Sequence, residues 1–266
     1  MGGYGCSGYG TKEEFFRKYL YNSVRHSCYD QFLSKHLAQD GRCLSIASGR
    51  AVNEMRFVDE GREILCSDLE AICPQETATL FPRYGFVKWN CMDDPLLDQR
   101  FQAVISLSFI YLLDPERLQL LFHRVNKLLQ PGGIFLLDSA GSPDTFLANI
   151  LHDYWLPLEA HMVRPLLSAY WRLTGRPGLK VETKHHGFRY TDQELTAMAS
   201  TAGFKLEAFE AMDFENEWGR SFTYRCLLKY IPPVRRAFLH FGQKIAYVRM
   251  FAFRSVHWPT NERFSP

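Results

Sequence analysis

Between residues 42 and 138, short apolar runs alternate with stretches whose apolar positions recur every three or four residues. Arg42-Cys43-Leu44-Ser45-Ile46, Glu63-Ile64-Leu65-Cys66-Ser67-Asp68, Gly85-Phe86-Val87-Lys88-Trp89-Asn90, Gln102-Ala103-Val104-Ile105-Ser106-Leu107 and Ile134-Phe135-Leu136-Leu137-Asp138 have the length and texture of buried strands. The stretches 51–60 (stopped by Gly61), 75–81 and 115–129 read as helices. In the last of them Leu118, Leu121, Phe122, Val125 and Leu128 fall on one face. Pro131-Gly132-Gly133 reads as the turn into the fifth strand. This alternation predicts βαβ units, hence an α/β fold with a parallel sheet and right-handed crossovers.

The flanks break the pattern. Residues 1–10 are glycine-rich and read as a flap, because glycine loses backbone entropy in a regular element and adds no side chain. Residues 11–37 read as helical, with Phe15, Phe16, Tyr19 and Leu20 as an apolar stripe. Residues 143–180 read as helical and aromatic, with His152, Tyr154, Trp155, His161, Tyr170 and Trp171. Thr191-Asp192-Gln193-Glu194 is a capping-box pattern opening a helix that Gly203 stops. Residues 204–212 and 221–230 alternate as strands around the acidic loop 213–218, which predicts an antiparallel pair. Pro232-Pro233 then closes the domain. The expected organisation is one domain over 1–230, with N-terminal helices in 1–40 and a substrate-capping insertion at 143–187. A basic aromatic extension follows over 231–266.

Composition narrows the class. A chain of 266 residues, 46% hydrophobic and 23% charged, can bury a large core without staples. Seven cysteines, an odd number without a CxxC, predict reduced thiols of a cytoplasmic protein rather than a disulfide scaffold, and no metal-ligand spacing is present. The longest apolar run, 101–113, is too short to span a bilayer, and the start lacks the apolar core of a signal peptide. The net charge of +2 is a sum of unlike parts: six basic residues and one acid put +5 in 231–266 and leave −3 for 1–230. Val234, Phe238, Phe241, Ile245 and Val248 share one helical face there. A basic amphipathic helix of this kind reads as peripheral membrane contact; the alternative is that its apolar face docks on the enzyme. No nucleic-acid-binding motif accompanies the charge.

In an open α/β sheet ligands bind beyond the carboxyl ends of the strands, beside the first strand. That places a candidate site at Ala47-Ser48-Gly49-Arg50-Ala51. Asp68 ends the second strand, 19 residues beyond Gly49, where an acid accepts hydrogen bonds from ribose hydroxyls; the alternative is a helix cap. After the third strand, Asn90-Cys91-Met92-Asp93-Asp94 offers a carboxylate for an adenine amino group and Met92 for its ring; again a helix cap is the alternative. One glycine at the first turn, where a pyrophosphate fingerprint wants three, ranks a nicotinamide oxidoreductase low.

The chain from 42 to 230 resembles a class I S-adenosylmethionine-dependent methyltransferase of the small-molecule type. The resemblance is carried by Leu44-Ser45-Ile46-Ala47-Ser48-Gly49-Arg50-Ala51, Asp68, Asp93, the block 101–113, Leu128-Leu129-Gln130-Pro131-Gly132-Gly133-Ile134, Phe188-Arg189-Tyr190-Thr191-Asp192-Gln193-Glu194-Leu195 and Ala202-Gly203-Phe204. It implies a Rossmann-like, mostly parallel seven-stranded sheet with an antiparallel last strand, helices on both faces and a helical insertion after the fifth strand. It implies S-adenosylmethionine as cofactor and S-adenosylhomocysteine as product. The implied cofactor contacts are Ala47, Ser48, Gly49, Arg50, Asp68, Leu69, Met92, Asp93 and Ser106. The chain departs from the pattern at Ser45, where the family has an acid facing the methionine end. It departs again at Ala47 and Ala51, for glycines, and at Gln102, for an aspartate. Arg50 could pair bidentately with the cofactor carboxylate, or be a solvated helix-start arginine.

Methyl transfer from a sulfonium is an in-line displacement, so the protein chiefly aligns the reactants and excludes water. A base is needed only where the acceptor carries its proton, as a hydroxyl does. His186 and His152 lead as base candidates, with His185, His161 and Asp153 nearby, and Tyr111 matches a position that lines the family's active site. The expected reaction is O-methylation of a small-molecule, lipid-linked or sugar-linked acceptor. The alternatives are N- or C-methylation, or a non-catalytic cofactor binder.

Overall fold

A computed structural model of the protein describes residues 11–19, 23–70, 74–175, 187–211, 223, 230–234, 236 and 248–256. Two helices lead, α1 (Lys12–Tyr19) and α2 (Ser23–His36). The alternating section follows as β1 (Cys43–Ile46), α3 (Val52–Asp59), β2 (Ile64–Asp68), α4 (Pro74–Leu80), β3 (Gly85–Lys88), β4 (Phe101–Ser106), a 3₁₀ turn (Ile110–Leu112), α5 (Pro115–Leu128) and β5 (Leu129–Ser139). A helical run then holds α6 (Phe146–Asn149), a π turn (Ile150–Trp155), α7 (Leu156–Leu158), a second π turn (Glu159–Val163) and α8 (Arg164–Leu173). The chain returns through α9 (Asp192–Thr201), β6 (Phe204–Ala211) and β7 (Arg249–Ser255).

The strands form one seven-stranded sheet in the order β3-β2-β1-β4-β5-β7-β6, with β7 antiparallel and helices around it. β1 is buried along its whole length and pairs in parallel with β2 and β4, so Ser45 lies beside Cys66 on one side and Ile105 on the other. α5 starts on Asp114, whose side chain accepts the Arg117 N–H at 2.8 Å, with Pro115 in the first turn where its missing N–H costs nothing. Its apolar face puts Phe122 edge-on to Phe135, Phe204 and Phe253 at centroid distances of 5.6, 6.1 and 5.7 Å. One helix thereby joins β5, β6 and β7 into a single aromatic core.

Three expectations change. Pro131-Gly132-Gly133 is not a turn ahead of the fifth strand, because β5 runs through it from Leu129, with an irregular register opposite Phe101 and Ala103. A Cβ on Gly133 would lie 2.9 Å from the Gln130 carbonyl oxygen and 3.0 Å from that of Gln102, which explains the glycine there. The strand beside β6 is Arg249–Ser255; of 221–230, expected in that place, only Thr223 and Tyr230 are among the described residues. Met250, Phe251, Ala252 and Phe253 are all buried, as a strand enclosed on both faces requires. The stretch expected as an extension therefore completes the sheet, and the boundary at 230 does not divide the chain.

Two of the extension's basic residues are likewise absorbed into the fold. Buried Arg249 donates to the Ala140 carbonyl, Ser139 Oγ and the Tyr190 carbonyl (2.7 Å) and pairs with Asp192. Arg254 pairs with Glu207 and donates to the Gly132 carbonyl at 2.7 Å. The chain divides into two compact units, one of residues 1–138, 193–210 and 250–266, the other of 139–192 and 211–249.

Candidate functional site

The carboxyl edge of β1, β2, β3 and β4 carries most of the residues singled out by pattern. The turn from β1 into α3 has left-handed backbone at Ala47 (φ 53°), Gly49 (φ 56°) and Ala51 (φ 53°). Two alanines hold the conformation that glycine adopts freely, at roughly 1 kcal/mol each. The shape of a glycine-rich turn thus persists without its outer glycines. A Cβ built on Gly49 would meet no atom within 4 Å, so the turn leaves room for a ligand to approach the backbone. Ala51 caps α3 without a side-chain acceptor, which leaves the helix start suited to an anionic group. Arg50 is half-exposed beside it.

Hydrogen bonds fasten this turn to the end of β2. Ser48 N–H donates to the Ser67 carbonyl at 3.0 Å. Gly49 N–H donates to Asp68 Oδ2 at 2.8 Å, and Leu69 N–H donates to Asp68 Oδ1 at 2.7 Å. A carboxylate oxygen accepts twice, so each retains capacity for a diol. Asp68 is not the cap of α4, which begins only at Pro74. The 19-residue spacing is therefore a real contact between strand-end acid and glycine turn.

Beneath the turn lies a carboxyl that no motif announces. Ser45 Oγ donates to Glu54 Oε1 at 2.7 Å, and both residues are buried. Glu54 Oε2 lacks a hydrogen-bond partner among the described residues. Burial pushes the Glu54 carboxyl up to about 7, while the Ser45 hydroxyl draws it down. An acid thus reaches the Ser45 position from α3. Its one trace in the sequence is a glutamate on an otherwise apolar face with Met55, Phe57 and Val58.

After β3, Asn90 organises the loop. Its N–H donates to Asp94 Oδ2 at 2.7 Å, its amide donates to Asp93 Oδ2 at 2.8 Å, and its Oδ1 accepts the Met92 N–H at 3.0 Å. No helix follows within 91–100, so the helix-cap alternative falls. Asp93 is exposed and Met92 is buried. Ser106 ends β4 with its buried Oγ unpartnered among the described residues. Two residues on, Ser108 has φ 55° and its N–H donates to Asp138 Oδ1 at 2.5 Å, while Tyr29 OH donates to Asp138 Oδ2. Asp138 is the acid next to the end of an apolar strand, much as Asp68 ends its own, which is the signal that could have marked it. α2 also brings His26 Nδ1 within 2.5 Å of Asn53 Oδ1 on α3.

Tyr111 lies half-buried in the 3₁₀ turn after β4. His152 lies in the first π turn, where only its backbone is described, and His186 is outside the described residues. Burial pushes the Cys43 thiol up to about 11 and the Cys91 thiol up to about 12, which keeps both protonated and poor nucleophiles.

No protein-family model matches the chain, and no curated protein does. Solved structures do. A SAM-dependent methyltransferase from Methanosarcina mazei superposes with TM-score 0.54 at 15% identity, over 85% of this chain and 98% of that one. The magnesium protoporphyrin IX methyltransferase of Synechocystis, with bound SAH, gives TM-score 0.54 at 10% identity over 94% and 90%. The fold is that of the SAM-dependent methyltransferases. A glycopeptide N-methyltransferase shares this methyltransferase fold at TM-score 0.53 and 16% identity, over 86% of this chain and 90% of that one.

Proposed function

We propose that this protein is an enzyme that transfers a methyl group from S-adenosylmethionine to a hydroxyl of a small-molecule, lipid-linked or sugar-linked acceptor. The observation that carries the reading is the pair formed by the open Gly49 backbone and Asp68, whose carboxylate two backbone N–H groups hold in place. A pinned acid beside a backbone free of side chains suits a ribose diol. Met92, Asp93 and Leu69 then serve the adenine end. Ser106, whose hydroxyl has no partner among the described residues, and the start of α3 with Arg50 serve the amino-acid end. Glu54 supplies, from α3, the acid missing at Ser45. When bound, the cofactor supplies an electrophilic methyl on a sulfonium. The chain's own residues fix its two ends and exclude water from the path of attack.

Tyr111 beside β4, with His152 and His186, remains the set from which proton removal is drawn. His26, oriented by its Nδ1 contact with Asn53 Oδ1 on α3, joins it. The described cysteines Cys43, Cys66 and Cys91 are buried thiols outside any disulfide, which supports a cytoplasmic setting. The neighbours act on a porphyrin and a glycopeptide, so the fold accommodates acceptors of very different shape. Titration calorimetry with S-adenosylmethionine and with S-adenosylhomocysteine tests the reading. Binding of both is expected, and binding of neither overturns it.

A further inference from the structure

The helical run over 146–173 alternates α and π geometry for a local reason. Pro157 and Pro165 each follow a π turn, Ile150–Trp155 and Glu159–Val163. A proline has no N–H for the carbonyl four residues back, and its ring crowds that carbonyl, so the preceding turn widens. The widening has a consequence for the surface. In an α-helix a four-residue step overshoots a full turn by about 40°. A π turn, with its i→i+5 bonds, falls short of one. Alternating the two keeps residues four apart in a straight row.

Tyr154, Leu158, Met162, Leu166 and Tyr170 are that row, and every one is exposed, from 43% at Leu158 upward. Leu173 extends it at 88%. The other side is anchored inward: Glu159 is buried and accepts from Trp155 Nε1 at 3.0 Å and from the Thr223 N–H at 2.9 Å, and Ser168 is buried as well. The orientation of the row is therefore fixed by the unit's own packing. Soluble surfaces seldom line up large apolar side chains in this way unless something covers them.

Charge chooses the cover. The two acids in the run are engaged, Glu159 by burial and Asp153 by Arg189 at 2.9 Å, while exposed Arg172 flanks the row. The unit of residues 139–192 and 211–249 holds 13 Lys and Arg against 8 Asp and Glu, a charge of +5, which leaves −3 for the rest of the chain. A second copy would bring +5 against +5. No helix among the described residues is long and apolar enough to cross a membrane, so the run can lie on a bilayer but not span one. We infer that the row Tyr154–Leu158–Met162–Leu166–Tyr170 seats this unit on an anionic lipid surface, the apolar side chains entering the headgroup boundary and exposed Arg172 beside them meeting lipid phosphates. This surface is separate from Arg249 and Arg254, whose partners lie within the protein.

Co-sedimentation of the full chain with phosphatidylcholine vesicles, with and without phosphatidylglycerol, tests it. The protein is expected to pellet with the anionic vesicles at low salt and to be released at high salt. The double substitution Met162→Glu and Leu166→Glu is expected to lower the vesicle-bound to free ratio about tenfold or more. Exposed positions should leave the thermal midpoint and S-adenosylhomocysteine binding as they were. If the doubly substituted chain fails to fold, Leu166→Ser alone gives the reading, with a smaller drop. Three outcomes overturn the inference: wild type staying in the supernatant with anionic vesicles at low salt, equal pelleting of wild type and the Leu166→Ser form, or a wild-type dimer that the substitution turns into a monomer.

Discussion

The β1–α3 turn and the 146–173 run depart from regular geometry by opposite means. At the turn, three left-handed residues, two of them alanines, sit in a backbone whose Ser48 and Gly49 N–H groups are fastened to the end of β2, at the Ser67 carbonyl and the Asp68 carboxylate. In the run, two prolines widen two helical turns, and side chains alone define the surface that results. A surface built from backbone tolerates drift in side-chain identity, as Ala47, Ala51 and Ser45 show. A surface built from side chains does not.

Substitutions at the sheet edge would break this contrast most strongly where they remove an acceptor shared by two elements. Asp138→Ala removes the carboxylate that accepts from the Ser108 N–H and the buried Tyr29 hydroxyl and is expected to destabilise the protein by about 2 kcal/mol in urea unfolding. A stability change under 1 kcal/mol would show that Asp138 does not hold this corner.

Glu54 sharpens the same point through pH. Its carboxyl binds a proton more tightly folded than unfolded, so its contribution is fully present below the ordinary carboxyl range. The contribution is lost as pH rises through about 7. The total change is roughly 3 kcal/mol. Unfolding free energies from pH 4 to 8 should show this fall in wild type and a flatter profile in Glu54→Gln. Parallel profiles would mean the carboxyl is already ionised in the folded protein.

Asp68→Ala acts on the ligand more than on the fold. Losing a charge-assisted acceptor costs about 2 kcal/mol, so S-adenosylhomocysteine affinity should drop about thirtyfold by calorimetry. Unchanged affinity would remove Asp68 from the site. The smallest effect is a gain: Ala47→Gly relieves a left-handed alanine and should add about 0.5 kcal/mol of stability, read from a small rise in the thermal midpoint. A loss instead would mean that the methyl group is packed rather than strained.

The four strands β1 to β4 are legible in the sequence to within two residues, because a buried parallel strand is a short apolar run and little else resembles it. β7 is not. Residues 221–230 alternate as a half-exposed strand should, whereas Met250-Phe251-Ala252-Phe253 carries no alternation and stands after a proline pair that looks final. The pairing of Asp68 with Gly49 is legible because strand, turn and helix lengths fix their separation. The contact of Ser45 with Glu54 and that of Tyr29 with Asp138, 109 residues apart, exist only once the helices have packed. Position along the chain carries no record of them.

The place of β7 has a consequence for the order of events on the ribosome. Synthesis runs from the N-terminus, so β1 to β5 can pair as soon as each has emerged. β6 cannot join them, since its only described neighbour in the sheet, β7, begins at Arg249, 38 residues after β6 ends at Ala211. Until then the buried edge of β5, with Phe135 and its neighbours, stays open, and the nascent protein carries an exposed apolar strand that a chaperone or a second chain could grasp.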